Sequence, residues 1–273
     1  MRLARFPLIL SAILIGWDRG LRLAAAQTAQ CAGVSSATGL SEVQNSVLFA
    51  NGGAITAHSG FTLILSILTN FDANKISGQP VPTGPALAPQ WYAIAHNWAK
   101  ALSASLDMAT WFCDEFPTDD AIPFVTNLSA PIPASFSVDA MEDAYENAGG
   151  LADDAQATAA SFTAIITSVN AFIEALQSRY PNAAVLAEVA SEALSTTNAL
   201  TQFAADWAAV QSDSSEAAIW LHQCKDALTR SIPEIFWGLT NSVNCLFQSI
   251  TVTIQDYMNG IESVVADINA SFP

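Results

Sequence analysis

The residues best suited to catalysis or metal binding are three histidines, and their spacing decides which chemistry is open to them. A zinc protease of the common type needs two histidines four residues apart on one helix with a glutamate beside the first, H-E-x-x-H, and no such pattern occurs around His58, His96 or His222. His58 and Ser59 lie in AHSGF, which lacks the G-x-S-x-G turn of a serine nucleophile. We therefore expect neither an enzyme nor a metal site, and no cofactor is implied.

Four cysteines offer a different chemistry, the formation of disulfides. Cys31, Cys113, Cys224 and Cys245 allow three pairings. We favour Cys31 with Cys113 and Cys224 with Cys245, and buried thiols are the alternative.

Acidic residues cluster early in one predicted helix. Asp139, Glu142, Asp143 and Glu146 are three or four residues apart, so like charges are neighbours on the helix surface. A cation would relieve that repulsion, but no D-x-[DN]-x-[DN]-G calcium loop is present. We interpret the cluster as a solvated face.

Aromatic residues form the one constellation that suggests ligand binding. Trp91, Tyr92, Trp98 and Trp111 fall in a single predicted helix. They either pack in a core or line an apolar groove for a lipid, sterol or glycan, since indole supplies area and one hydrogen-bond donor.

An uncharged run extends from Val43 to Phe71. Its part from Ala54 would form a helix about 27 Å long, close to the ~30 Å thickness of a bilayer's hydrocarbon core. The candidate membrane-inserting residues are the most apolar ones: Phe61, Ile64, Leu65 and Leu68. The alternative is that the run is the most buried helix of a soluble fold, because a helix apolar all round occupies a core. A second uncharged stretch covers Ile235–Gln255.

The N-terminal 26 residues are typical of a secretory signal peptide. Arg2 and Arg5 precede an apolar segment, and Ala24-Ala25-Ala26 provides a cleavage site. We therefore predict a secreted protein whose domain covers residues 27–273. Two further patterns, Asn127-Leu-Ser and Asn269-Ala-Ser, are N-glycosylation sequons.

The charge balance excludes several partners. Residues 1–26 contain four of the 9 basic residues and one of the 25 acidic residues, so few cations remain in a strongly acidic chain. Nucleic acid is therefore not expected as a partner, because Lys and Arg supply most of the affinity for phosphate. Docking on anionic lipid is disfavoured for the same reason.

The apolar spacing predicts helices almost throughout. Hydrophobic residues make up 51% of the chain, and many recur at intervals of three and four, as in Phe162, Ile165 and Val169. We expect helices to begin near Ser41, Pro89, Val138 and Pro233, interruptions at Asn51-Gly-Gly and Gly149-Gly150, and a new start at Asp213–Glu216. Pro-rich loops are expected at 77–89 and 116–136.

These patterns predict an all-α fold, an elongated bundle of five to six long, mostly antiparallel helices. We expect a secreted, non-catalytic protein that binds an apolar or amphipathic ligand, a lipid or a cell-envelope surface. The alternative is an α-helical pore-forming toxin that uses residues 43–71. Secreted toxins of that kind resemble this chain in composition and pattern, with long helices and a concealed apolar segment, although no motif is shared.

Overall fold

The computed structural model describes Cys31 and residues 43–76, 78–82, 84–115 and 124–272, with backbone alone at 43–51, 114, 115 and 263. Five helices lie in this part: α1 (Val43–Asp72), α2 (Ala88–Glu115), α3 (Val138–Arg179), α4 (Ala184–Thr229) and α5 (Pro233–Ser271). No strand occurs among the described residues, and the predicted all-α class is confirmed. All five helices belong to one compact unit, residues 36–273. The predicted signal peptide lies outside the described residues.

Prolines and local hydrogen bonds set several helix ends as predicted. Pro89 lies in the first turn of α2, and Pro233 begins α5; at these positions the missing N–H has no intrahelical partner to lose. The Ser137 side chain accepts a hydrogen bond from the Ala140 N–H at 3.0 Å and caps α3, which ends at Arg179 just before Pro181.

The start of α2 is capped by a residue from another helix. Asp72 Oδ2, in the last residue of α1, accepts hydrogen bonds from the Leu87 and Ala88 N–H groups, both at 2.7 Å. The first N–H groups of a helix lack intrahelical partners and carry partial positive charge, so a carboxylate there satisfies both requirements. This contact fixes the relation between the two helices across the Pro-rich connection.

The three predicted interruptions are wrong. Helix α1 continues through Asn51-Gly52-Gly53, α3 through Gly149-Gly150, and α4 through Asp213–Glu216. Glycine in a helix costs about 1 kcal/mol relative to alanine, which burial of neighbours such as Ala148 and Leu151 offsets. In α4, Asp213 and Ser214 are buried inside the helix and do not cap a new one.

The helices bury the faces that their spacing predicts. Helix α4 packs most extensively on α3 and also on α5 and α1, and α5 further contacts α1 and α2. Helix α4 buries a stripe of residues with heptad-like spacing: Leu186, Val189, Ala193, Thr196, Leu200, Phe203, Trp207 and Val210. Each large apolar side chain removed from water contributes about 1.5–3 kcal/mol, so these faces account for much of the driving force for folding.

Close approach of α1 to α4 depends on one glycine. A Cβ added at Gly60 would collide with Thr196 Oγ1. The Thr196 hydroxyl itself donates to the Glu192 carbonyl at 3.0 Å. A hydrogen at Gly60 therefore lets the two helices meet without displacing the threonine.

Candidate functional site

Two of the four aromatic candidates belong to the core. Trp91 and Trp98 are fully buried, and their rings lie 5.2 and 4.9 Å from the Phe61 ring. The Trp91 Nε1–H donates to the Phe61 carbonyl at 3.0 Å. Tyr92 is partly buried beside this group. The structure therefore does not bring the four residues together around one open groove.

Trp111 differs from the other two tryptophans because 43% of its surface is exposed. The buried stripe of α2 runs through Leu102, Ala109 and Phe112, and Trp111 precedes Phe112 by one residue, which turns it toward α3. Helical spacing separates Trp111 from the core residues of α2 once the buried face of that helix is known.

Trp111 lines an open groove between α2 and α3 with a volume of about 480 Å³. Its α2 side is formed by Ala101, Ala104, Asp107, Met108 and Trp111, and its α3 side by Asp154, Ala157, Thr158 and Ser161. We call this set the Trp111 groove. Sites for small ligands have volumes of about 300–1,000 Å³, and the volume of this open groove falls within that range.

A threonine side chain contacts the opposite side of the groove. The Thr158 hydroxyl lies 2.9 Å from the Asp154 carbonyl, to which it donates, and its Oγ1 lies 3.5 Å from Met108 Sδ. Asp107 and Trp111 are four residues apart, one turn along the same face of α2. The groove therefore holds a carboxylate on each side, with the indole next to one of them.

A second cavity, of about 380 Å³, adjoins the Trp111 groove and shares Ala104 and Asp107 with it. It lies between α2 and the end of α5 and adds His96, Lys100 and Asn269. The Nδ1 atom of His96 is 3.1 Å from the Phe272 carbonyl. His96 and Lys100 therefore line the second cavity alone, Asp154 and Trp111 line the groove alone, and Asp107 lines both.

The membrane-insertion candidates face the core in this fold. Phe61, Ile64 and Leu68 are fully buried, and Leu65 is partly buried. Helix α1 packs against three helices, α2, α4 and α5. Its outward face also lacks charge and includes the exposed side chains Ile55 and Leu63.

By length and composition, two helical segments of the described chain are apolar enough to cross a membrane, Gly52–Asp72 and Val138–Arg179. In their most apolar stretches, 39% and 28% of the residues are buried. The second segment was not predicted, because the acidic residues at its start conceal the uncharged run between Asp154 and Glu174.

The favoured cysteine pairings are wrong. Cys31 and Cys245 are the disulfide-bonded residues, while Cys113 and Cys224 are thiols. Cys224 is enclosed by Met141, Phe236 and Trp237, and burial raises the pKa of its thiol to about 12. Apolar surroundings disfavour the thiolate that disulfide exchange requires.

The described histidines and the acidic residues of α3 do not come together in one site. Across the described residues, no group of three or more His, Cys, Asp or Glu is placed to hold a metal. His58 stacks near Trp98 in the core, while the exposed His222 lies near Tyr145. Glu142 of the acidic cluster forms an ion pair with Lys225.

Both predicted glycosylation asparagines are exposed. Asn127 accepts a hydrogen bond from the Ser129 N–H at 3.2 Å, and Asn269 is paired with Ser103 at 3.0–3.2 Å. Asn269 also lines the second cavity, so a glycan there would stand beside the Trp111 groove.

Two carboxylates outside the groove have raised pKa values. Burial raises the pKa of Asp206 to about 6, against a hydrogen bond from Gln202 that lowers it. Burial likewise raises the pKa of Asp256 to about 6. Their helical positions did not reveal this, because the degree of burial depends on how α4 and α5 pack.

No protein-family model, curated protein or solved structure matches this chain.

Proposed function

We propose that this is a secreted, non-catalytic helical-bundle protein that binds a small apolar or amphipathic ligand in the Trp111 groove. The observation that carries the proposal is the 43% exposure of Trp111 beside a groove of about 480 Å³. A half-exposed indole beside small alanine side chains offers an amphipathic ligand a broad apolar contact surface. We also propose that the helices form an elongated bundle in which neighbouring helices are mostly antiparallel.

The test uses a neutral apolar fluorophore, N-phenyl-1-naphthylamine, titrated with the purified protein. We expect saturable binding, weakened about tenfold or more by Trp111→Ala, since loss of an aromatic anchor typically costs a few kcal/mol. Leu194→Ala is the matched control, because Leu194 is exposed on α4 outside the groove. Equal binding by the two variants would refute the assignment to Trp111.

A pore-forming function is the second candidate, favoured by the uncharged outer face of α1. Insertion would require α1 to leave its contacts with α2, α4 and α5. The exposed Ile55 and Leu63 would make first contact with the lipid, without any electrostatic attraction.

Dye release from neutral phosphatidylcholine liposomes tests this candidate. Release that is lost in a folded Leu63→Glu variant would support it, because a charge on the outer face opposes entry into hydrocarbon. Absence of release at every protein concentration, with unchanged tryptophan fluorescence, would contradict it.

A further inference from the structure

Resting on the proposed binding function, we infer that the Trp111 groove selects organic cations, such as alkylated ammonium groups, over neutral or anionic ligands of the same shape.

The first support is the placement of charge within the groove. Asp107 lines it from α2 and Asp154 from α3, so a ligand between the helices has a carboxylate on each side. Lys100 lies toward the adjoining cavity and would repel a cation there. The positive group of the ligand therefore belongs at the Trp111 end.

The second support is the surface that accompanies the carboxylates. Trp111 offers an exposed indole and Met108 a polarizable thioether, while Ala101, Ala104 and Ala157 leave room beside them. An indole face attracts cations through its quadrupole, most effectively when the cation is poorly hydrated. Together the surfaces suit a large ammonium group with apolar substituents.

The same surroundings argue against a small metal ion as the cation. Hard cations such as calcium take six to eight oxygen ligands, whereas the anionic groups that line the groove are the two carboxylates of Asp107 and Asp154. Alkylammonium groups need no such coordination shell, so indole and methyl surfaces can replace part of their hydration.

The test compares hexyltrimethylammonium with two ligands of the same chain length, the neutral hexyl glucoside and hexyl sulfate, by isothermal titration calorimetry. We expect the cation to bind about tenfold or more tightly than the glucoside, the range that a partly desolvated cation–indole contact allows. The sulfate should bind more weakly than either.

Two double variants distinguish specific binding of the cation in the groove from general attraction of the cation to an acidic protein. Asp107→Asn combined with Asp154→Asn should abolish the preference for the cation while binding of the glucoside persists. Asp139→Asn combined with Asp143→Asn removes the same charge from exposed positions of α3 outside the groove and should preserve the preference.

The outcomes are distinguishable. Equal binding of all three ligands, abolished by Trp111→Ala, would overturn the cation selectivity and leave the proposed function standing. If both double variants lost the preference for the cation equally, the preference would come from the overall charge of the protein, and the proposed selectivity of the groove would be overturned. No binding of any ligand would overturn both proposals.

Discussion

At the scale of single residues, the core is held by aromatic contacts around Phe61, which lies against Trp91 and Trp98. Replacing Phe61 by alanine should lower the free energy of unfolding by about 3–5 kcal/mol, because it removes buried area and leaves a cavity. Urea denaturation followed by circular dichroism measures the change. Leu63→Ala, at an exposed position two residues along, is the control and should change stability by less than about 0.5 kcal/mol. Similar losses for the two would show that α1 is not docked through Phe61.

Asp206 should make stability depend on pH. Its folded pKa is about 6, raised by burial above the ordinary 3.8, so the folded state holds the proton more tightly than the unfolded state does. Its contribution to stability is therefore fully present below about pH 4 and is lost as the pH rises through about 6.

Asp206→Asn tests this assignment, because an amide keeps the oxygen that accepts the Gln202 hydrogen bond and cannot ionise. We expect the variant to be more stable by roughly 1–2 kcal/mol near pH 7.5, allowing for solvent screening of a partly exposed group, and unchanged near pH 4. Thermal unfolding at both pH values measures it, with the exposed Asp153→Asn as control. A gain of equal size at both values would contradict the role of ionisation.

At the scale of helices, the glycines are of two kinds. Some lie in a helix despite their low helix propensity, and one is required because a neighbouring helix packs against it. A Cβ at Gly149 or Gly150 would meet nothing within 4 Å. Each change to alanine should therefore stabilise α3 by about 0.5–1 kcal/mol. Gly60→Ala should instead destabilise, because its Cβ collides with Thr196. Chemical denaturation of the three variants gives the signs, and a gain from Gly60→Ala would show that α1 and α4 separate easily.

The same scale shows how far sequence reasoning reaches. The spacing of Phe162, Ile165 and Val169 identified the buried face of α3, and prolines marked the starts of α2 and α5. Glycine pairs misled because a local cost of about 1 kcal/mol per glycine is smaller than the gain from continuous burial. The cap that Asp72 provides for α2 has no sequence signal, since it joins residues brought close only by the fold.

Of the four aromatic candidates for a ligand groove, only Trp111 lines the Trp111 groove. All four aromatic candidates lie on α2. Helical spacing distinguishes the buried Trp98 from the exposed Trp111 only when the face of α2 that packs in the core is known. Asp154 comes from α3, and no property of the sequence pairs it with Asp107. Contacts across helices are the part that the sequence leaves open, because side-chain periodicity defines a face and not its partner.

At the scale of the whole molecule, net charge opposes compactness. The formal charge is −16, and the described residues contain one ion pair, Lys225 with Glu142. Salt should screen more repulsion than attraction, so the melting temperature should rise as ionic strength increases from about 0.01 M to about 0.15 M. Differential scanning calorimetry measures it, and a lower melting temperature in salt would show that attractive pairs dominate.

Helix α1 is the first of the five helices to leave the ribosome, yet α4 and α5 begin more than a hundred residues later in the chain. At about 5–20 residues per second, its core face waits on the order of ten seconds for those partners. During that time the uncharged run from Val43 to Phe71 gives Phe61 and Ile64 no charged neighbour, and Leu68 has only Asp72 at the end of the helix. Nascent chains of this protein should therefore depend on chaperones at the stage when only the N-terminal third has been synthesised, whatever the stability of the finished fold.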